Sequence, residues 1–563
     1  MKKIYLVFLL LTAFACTEDK PTPQFDFTLI DSYLAEFEGN RPGYALGIIQ
    51  NGQLVYSKGY GVANLDYNIP ITDTTVFYIG SMAKQFTVAA LLILESEGKV
   101  DLNKPVQFYL QDFPEYNQAI TLNHLVHHIS GIRETNSMQL FQGIDQKFEE
   151  VFDTEDLYQL IKSQKTLNFP PGQEYRYSSG GYAVLAKIIE QLSGTSFRTF
   201  LGERIFTPLN MSNTMVSDNH NEIIPNRAVS YWPIADHQYE RRSLVFDAYG
   251  DGGIVTTIKD LANWDKAFYE DLLGVPNFAD KMYQTTTLNN GQAIDYARAL
   301  NVWNYKGQKV VQHNGGMLGF RVDIVRFPAL ETSIILLGNA AFLNPTGDAL
   351  NIAELILPNK FKEPEKIATH KFPSIKVSPA KLAQYSGYYW TDQTNYFRRI
   401  STQNDSLFLD NGDWNNRQYL QAIAPGVFVA MGTAPEMKLS FELPHAELEM
   451  ELGSTKRQFR KFDASPPTTI EEVKQYIGTY HSKELSSIYQ IFQDQEALFL
   501  KINEAKAQQI FPLSADSRMV WNGKEMLWIG FGEIKFIVEK NQSIQGFEIG
   551  DGRVSGIKFE KIS

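Results

Sequence analysis

Apolar residues along this chain fall into blocks of different period, and each period points to a different element. Residues 45–56 (ALGIIQNGQLVY) hold two short apolar runs on either side of Asn51-Gly52. That dipeptide accepts the positive φ angles of a two-residue turn, so the segment predicts a β-hairpin. Residues 85–98 (QFTVAALLILESEG) are apolar on nearly every side and rich in Ala and Leu, which predicts a buried helix stopped by Gly98. Further helices are predicted over 182–192 and 258–271, and strands over 309–313 and 333–338. Strands near both ends with helices between them predict an α/β (α+β) region, one antiparallel sheet packed against helices.

The pattern changes after residue 358. Residues 358–379 hold several Lys and Pro with no sustained period, which reads as a linker. Beyond them the chain becomes β-rich and repeats itself. Gln384-Tyr385-Ser386-Gly387-Tyr388-Tyr389 returns as Gln475-Tyr476-Ile477-Gly478-Thr479-Tyr480, and Leu407-Phe408-Leu409 returns as Leu498-Phe499-Leu500. Both pairs share one offset of 91 residues (475 against 384, 498 against 407), with Ser465-Pro466-Pro467-Thr468 at the joint. Two units of short alternating strands predict two small antiparallel, lipocalin-like β-barrels. The expected division is a catalytic region over 26–360, a linker over 361–379, and barrels over 380–464 and 465–563.

At the other end, Met1-Lys2-Lys3 precedes the short apolar run 4–15 (IYLVFLLLTAFA), the layout of an export signal and too short to span a bilayer comfortably. The sole cysteine, Cys16, follows at once, so no disulfide can form within the chain. Its position resembles a bacterial lipobox, although Phe14 stands where a small residue is usual. The expectation is a signal over 1–15, lipidation at Cys16 and a tether over 16–25, placing the protein in the cell envelope as a periplasmic or outer-membrane lipoprotein. With 563 residues, two or three domains are expected. The net charge of −12 argues against a nucleic-acid partner, because phosphate binding needs a basic surface.

The candidate chemistry centres on Ser81-Met82-Ala83-Lys84. Ser-x-x-Lys occurs four times, at Ser81, Ser96, Ser378 and Ser555, but only the first stands at the start of a predicted buried helix. There the free N–H groups and the helix dipole favour negative charge, and Lys84, one turn on, can reach the Ser81 hydroxyl. A hydroxyl becomes a useful nucleophile only when a neighbouring base takes its proton. Two motifs follow in order: Tyr177-Ser178-Ser179, within residues 171–182, and His313-Asn314-Gly315-Gly316. Supporting stretches are 120–131, ending His128-Ile129-Ser130-Gly131, and 250–261, beginning Gly250-Asp251-Gly252-Gly253. As a set these resemble the serine β-lactamase-like, penicillin-recognising family, from about Phe25 to Pro358. The third motif's histidine and the two trailing barrels resemble its D-stereospecific aminopeptidases.

The resemblance implies an acyl-enzyme formed on Ser81. It makes Tyr177 a proton carrier if Lys84 or His313 stabilises its phenolate, and the N–H groups of Ser81 and Gly316 the oxyanion donors. Gly315 and Gly316 fit a strand edge that must approach the substrate closely. Two departures count against β-lactamase turnover. Ser179 replaces the family's Asn amide with a hydroxyl, and His313 replaces a Lys that would anchor a carboxylate. His124 and His128 share a helical spacing but no His-Glu-x-x-His motif accompanies them, so they are read as structural, with no metal and no cofactor. Three readings stay open: a peptidase or amidase acting on small, D-residue-containing peptides, an envelope esterase, and a non-catalytic binding or sensing protein. The barrels are expected to shape access to Ser81.

Overall fold

The computed structural model describes residues 25–144, 151–235, 238–362 and, with gaps at several strand connections, 375–563. The expected export signal, Cys16 and all but the end of its tether, most of the linker and the 465–468 joint lie outside the described residues.

The predicted hairpin is β1 (Tyr44–Gln50) and β2 (Gln53–Tyr60), joined through Asn51 at φ +50° and Gly52 at φ +73°. Four later strands complete the sheet: β3 (Asn301–Tyr305), β4 (Gln308–Met317), β5 (Phe320–Phe327) and β6 (Thr332–Gly338). Their order is β3-β4-β5-β6-β1-β2, antiparallel throughout, so the first hairpin closes onto the last strand. Every residue of β1 is buried. Ala45 and Ile49 join a core with α1 (Lys84–Ser96), α2 (Ser179–Ser193) and α3 (Ile258–Lys266). Leu46 and Ile48 join a second core, with the Phe27–Tyr33 helix and α4 (Pro345–Ile356). A sheet covered on both faces reads as a continuous apolar run, which is what this strand shows.

The helix ends differ from the sequence expectation where tertiary contacts intervene. α1 starts at Lys84, one residue before its predicted start, and Ser81 lies on the 3₁₀ turn Gly80–Ala83 that leads into it, with Gly80 at φ +50°. α2 starts three residues earlier than its apolar period suggests, since the Glu134 carboxylate accepts the Ser179 N–H at 2.8 Å. It stops at Gly194, φ +71°, the left-handed stop such helices favour.

Beyond the linker stand two closed eight-stranded barrels, over 387–462 and 478–561. The repeat legible in the sequence is physical. Gly387 and Gly478 open the first strands at φ +144° and +155°. The Tyr389 and Tyr480 hydroxyls each donate to the carbonyl four residues back, both at 2.8 Å. Lys461 and Lys561 each donate to the carbonyl of the repeated glutamine, Gln384 and Gln475. The barrels differ in what fills them. The first packs Leu382 and Tyr385 of its own Pro379–Tyr385 helix into its core. The second takes in Met138, Phe141 and Leu160, which belong to the catalytic region. Tyr489 then donates to the Phe141 carbonyl at 2.7 Å, and a Cβ at Gly143 would meet Ile502 at 2.8 Å.

Candidate active site

Close backbone contact sets the nucleophile in place. A Cβ at Gly315 would lie 1.9 Å from the Ile79 carbonyl oxygen, and one at Gly80 would lie 2.8 Å from the Gly316 nitrogen. Only residues without a Cβ let β4 run against the turn that carries Ser81, so these glycines are steric requirements of the site. Lys84 is fully buried. Its Nζ donates to the Ser81 hydroxyl at 3.2 Å and to the Asp251 main-chain carbonyl at 2.7 Å.

Tyr177 faces the same space. The Lys84 ammonium lies 5.0 Å from its ring centre, and the His128 ring packs against it at 4.1 Å. Its hydroxyl is buried and has no hydrogen-bond partner among the described residues. Neither Lys84 nor His313 bonds to it, so the expected stabilisation of a Tyr177 phenolate is not built into this geometry.

His313 is buried and held neutral. Burial, and then the Lys84 charge, pushes its imidazolium pKa down to about 3. Nδ1 sits 2.6 Å from the Asn314 carbonyl, which can only accept, so Nδ1 carries the proton. Nε2 therefore accepts from the Tyr296 hydroxyl at 3.0 Å. Both ring nitrogens are engaged within the protein, leaving neither for a substrate or for Tyr177.

Ser179, at the first position of α2, gives its N–H to Glu134 and its hydroxyl to the Asp251 carboxylate. Burial raises the Asp251 pKa, opposed chiefly by the Lys84 charge. The hydroxyl that replaces an amide here thus works with a second residue, and that residue's own carbonyl grips Lys84. Ser81, Tyr177, Ser179, Asp251, His313 and Gly316 all line one cavity of about 740 Å³.

Sequence spacing brought Ser81, Lys84, Tyr177, Ser179, His313, Gly315 and Gly316 forward, and the fold gathers all of them. It missed Asp251, although a carboxylate among three glycines before an apolar run was a signal. Glu134, Tyr296 and Arg553 carried no such signal. Of the two histidines read as structural, His124 is part of a helix cap with Thr121, accepting its N–H at 3.2 Å. His128 accepts the Ser178 N–H at 3.1 Å and is also a wall behind Tyr177.

Arg553 enters from the second barrel, on the connection between its last two strands, and lines the cavity. Its guanidinium lies 5.3 Å from the Tyr177 ring centre.

The model of the beta-lactamase family matches residues 28–357, more than half of the sequence. The chain belongs to the beta-lactamase family. Its relatives include penicillin-binding protein 4* of Bacillus subtilis, 28% identical over 377 residues, 64% of this chain and 82% of that protein. They also include the D-aminopeptidase of Gluconobacter oxydans, 26% identical over 309 residues, where the match spans 54% of this chain and only 57% of the relative. In fold it is similar to an octameric penicillin-binding protein homologue from Pyrococcus abyssi, with a TM-score of 0.55 and 22% identity, covering 77% of this chain and 98% of that one. This beta-lactamase-family chain is thus an enzyme of the serine hydrolase type, with a sheet, helices and barrels arranged as the sequence led one to expect.

Proposed function

We propose that Ser81 is the nucleophile of an acyl-transfer hydrolysis of an amide or ester bond in a small, peptide-like substrate. The observation that carries this is the Lys84 ammonium, fully buried and bonded to both Ser81 and the Asp251 carbonyl. The ammonium first releases a proton to the cavity; the resulting amine keeps one N–H on that carbonyl and takes the Ser81 proton on its lone pair. The Ser81 oxygen then bonds to the substrate carbonyl carbon, and the oxyanion formed is met by backbone N–H groups of Ser81 and Gly316, each such donor being worth ~3–4 kcal/mol. The carbon–leaving-group bond breaks as the leaving group takes the proton that Lys84 received from Ser81, with the Tyr177 hydroxyl, which faces the same space, passing it on and regaining it in the same step. Water repeats the sequence on the acyl-enzyme and restores Ser81.

The D-aminopeptidase relatives support amide substrates built from D-residues. The neutral, fully engaged His313 weighs against efficient β-lactam turnover, where a cation is expected in the third motif. Turnover of D-aminoacyl anilides and p-nitrophenyl esters, lost in Ser81→Ala, tests the reading. Lys84→Ala and Tyr177→Phe should each lower kcat ~10²–10⁴-fold in protein that stays folded. Wild-type kcat in either variant removes that residue from the mechanism.

The basic start, apolar run and Cys16 support an exported, lipid-anchored protein. Cys16→Ser should move it from the membrane fraction to the soluble one; unchanged sedimentation would exclude that anchor.

A further inference from the structure

The hydrolysis proposed for Ser81 leaves one buried carboxylate without a role. Glu134 is fully buried and stands at the N-terminus of the Thr135–Phe141 helix, where its side chain accepts the Asn136 N–H at 3.4 Å. The same carboxylate accepts the N–H of Ser179, the first residue of α2, at 2.8 Å. Ser178 holds the position that would ordinarily cap α2, yet its side chain makes no capping bond, and its hydroxyl donates to the Arg133 carbonyl at 3.2 Å instead. One side chain thus closes the ends of two helices, and the second of them begins inside the Tyr177-Ser178-Ser179 motif.

A carboxylate taken out of water needs a cation close by, since an uncompensated buried charge is strongly destabilising. Arg133, its neighbour in the chain, turns its guanidinium away, to Gln164, Thr166 and the Ser555 carbonyl. Lys84 gives its protons to Ser81 and the Asp251 carbonyl. The compensating charge comes from the second barrel. Nη1 of Arg553 lies 4.0 Å from Oε2 of Glu134, the oxygen that holds the Ser179 N–H. The backbone beneath Arg553 is fixed: its carbonyl accepts from Asn168 at 2.7 Å, and its N–H donates to the buried Asp551 carboxylate at 2.8 Å.

We propose that Glu134 is a positioning residue for Lys84, acting through Ser179 and Asp251, and that Arg553 of the second barrel supplies the charge that holds it in place. The links are each a contact of the structure. Glu134 fixes the Ser179 backbone, the Ser179 hydroxyl bonds to the Asp251 carboxylate, and the Asp251 carbonyl grips the Lys84 ammonium at 2.7 Å. The proposal rests on the hydrolase reading above and adds the residues that keep its base in register. It makes the barrel part of the catalytic machinery through a charge as well as through its docked end.

The test uses full-length protein and two reporters, p-nitrophenyl acetate turnover and the rate at which a fluorophosphonate labels Ser81. Arg553→Gln, a change at a half-exposed side chain, should lower kcat and the labelling rate about tenfold or more with KM nearly unchanged, the scale of a lost bond to a charged group. Arg553→Lys, which keeps a cation beside Glu134, should lose less. Glu134→Ala, which removes the acceptor of the Ser179 N–H, should lose at least as much as Arg553→Gln. Glu134→Gln keeps an acceptor and removes the charge, so Arg553→Gln added to it should cost less than about twofold further. This Gln pair decides the question even if Glu134→Ala does not fold. Losses that multiply in the double variant would mean that Arg553 acts on the Tyr177 ring directly, and would overturn the proposal. So would wild-type kcat in Arg553→Gln or in folded Glu134→Ala, an equal loss in Arg553→Lys, or a loss confined to KM. Wild-type protein that neither labels nor turns over overturns the hydrolase reading itself, whereas Ser81-dependent turnover with multiplied losses overturns the positioning role alone.

Discussion

The two barrels repeat one pattern yet stand in different relations to the site. Both open with a glycine at extreme φ, and both lock a tyrosine hydroxyl onto the carbonyl four residues back. Their last hairpins differ. The first passes from Leu452 to Thr455 across residues 453–454, whereas the second passes from Gly550 to Ile557 across residues 551–556. The longer connection is what reaches Asn168, Arg133 and the cavity. The cores diverge in parallel, since the second incorporates Met138, Phe141 and Leu160 while the first includes its own helix. A barrel therefore becomes part of an active site through one loop and one docked end, with its strand frame unchanged.

That contrast can be broken most forcefully at the docked end. Phe141→Ala should cost ~3–5 kcal/mol, the usual range for emptying a buried phenylalanine site, and should lower activity because the Arg553 loop loses its seat. Phe428→Ala, inside the first barrel, should cost a similar amount by calorimetry but leave kcat/KM of the folded protein unchanged. Equal activity losses in the two variants would mean that both barrels support the site. Replacing 551–556 with a two-residue turn should preserve the barrel while lowering kcat/KM of the folded protein, because it removes the Arg553 side chain from beside Tyr177 and the bonds to Asn168 and Arg133; unchanged kcat/KM would mean that the loop takes no part in the site.

Acid should separate the catalytic region from its barrels more gently. His313 in the fold is pushed down to about 3, against about 6.5 for a free imidazole. As pH falls below about 6.5 the unfolded chain gains a proton that the folded chain refuses, so stability falls progressively towards pH 3. His128, lowered by burial first and Lys84 second, acts in the same direction. Melting temperatures between pH 7.5 and 5 should fall less steeply in His313→Gln; identical slopes would exclude His313 as a source. The smallest effect concerns what the barrels share. Tyr389→Phe and Tyr480→Phe should each cost about 1 kcal/mol, equally, since each removes the same hydrogen bond.

What the sequence made legible was local. The hairpin turn at Asn51-Gly52, the buried helix after Lys84 and the 91-residue repeat all depend on nearby residues or on copying, and the fold contains them. The three ordered motifs were legible because family chemistry fixes their residue types. Residues that reach the site only by folding were not. Asp251 meets Lys84 across 167 residues of chain, and Asn168 meets Arg553 across 385. The start of α1 fell within one residue of its expected place, but the 3₁₀ turn that carries Ser81 ahead of it was not legible, because a Cβ at Gly80 would meet the Gly316 backbone and no helical period encodes that contact.

The central claim is that Ser81 is an activated nucleophile, and covalent labelling tests it most directly. Full-length protein exposed to a fluorophosphonate, then followed by intact-mass and peptide mass spectrometry, should carry one adduct, on Ser81. The adduct should be absent in Ser81→Ala and form far more slowly in Lys84→Ala. Folded wild-type protein that remains unlabelled, or that labels equally fast without Lys84, would contradict the account.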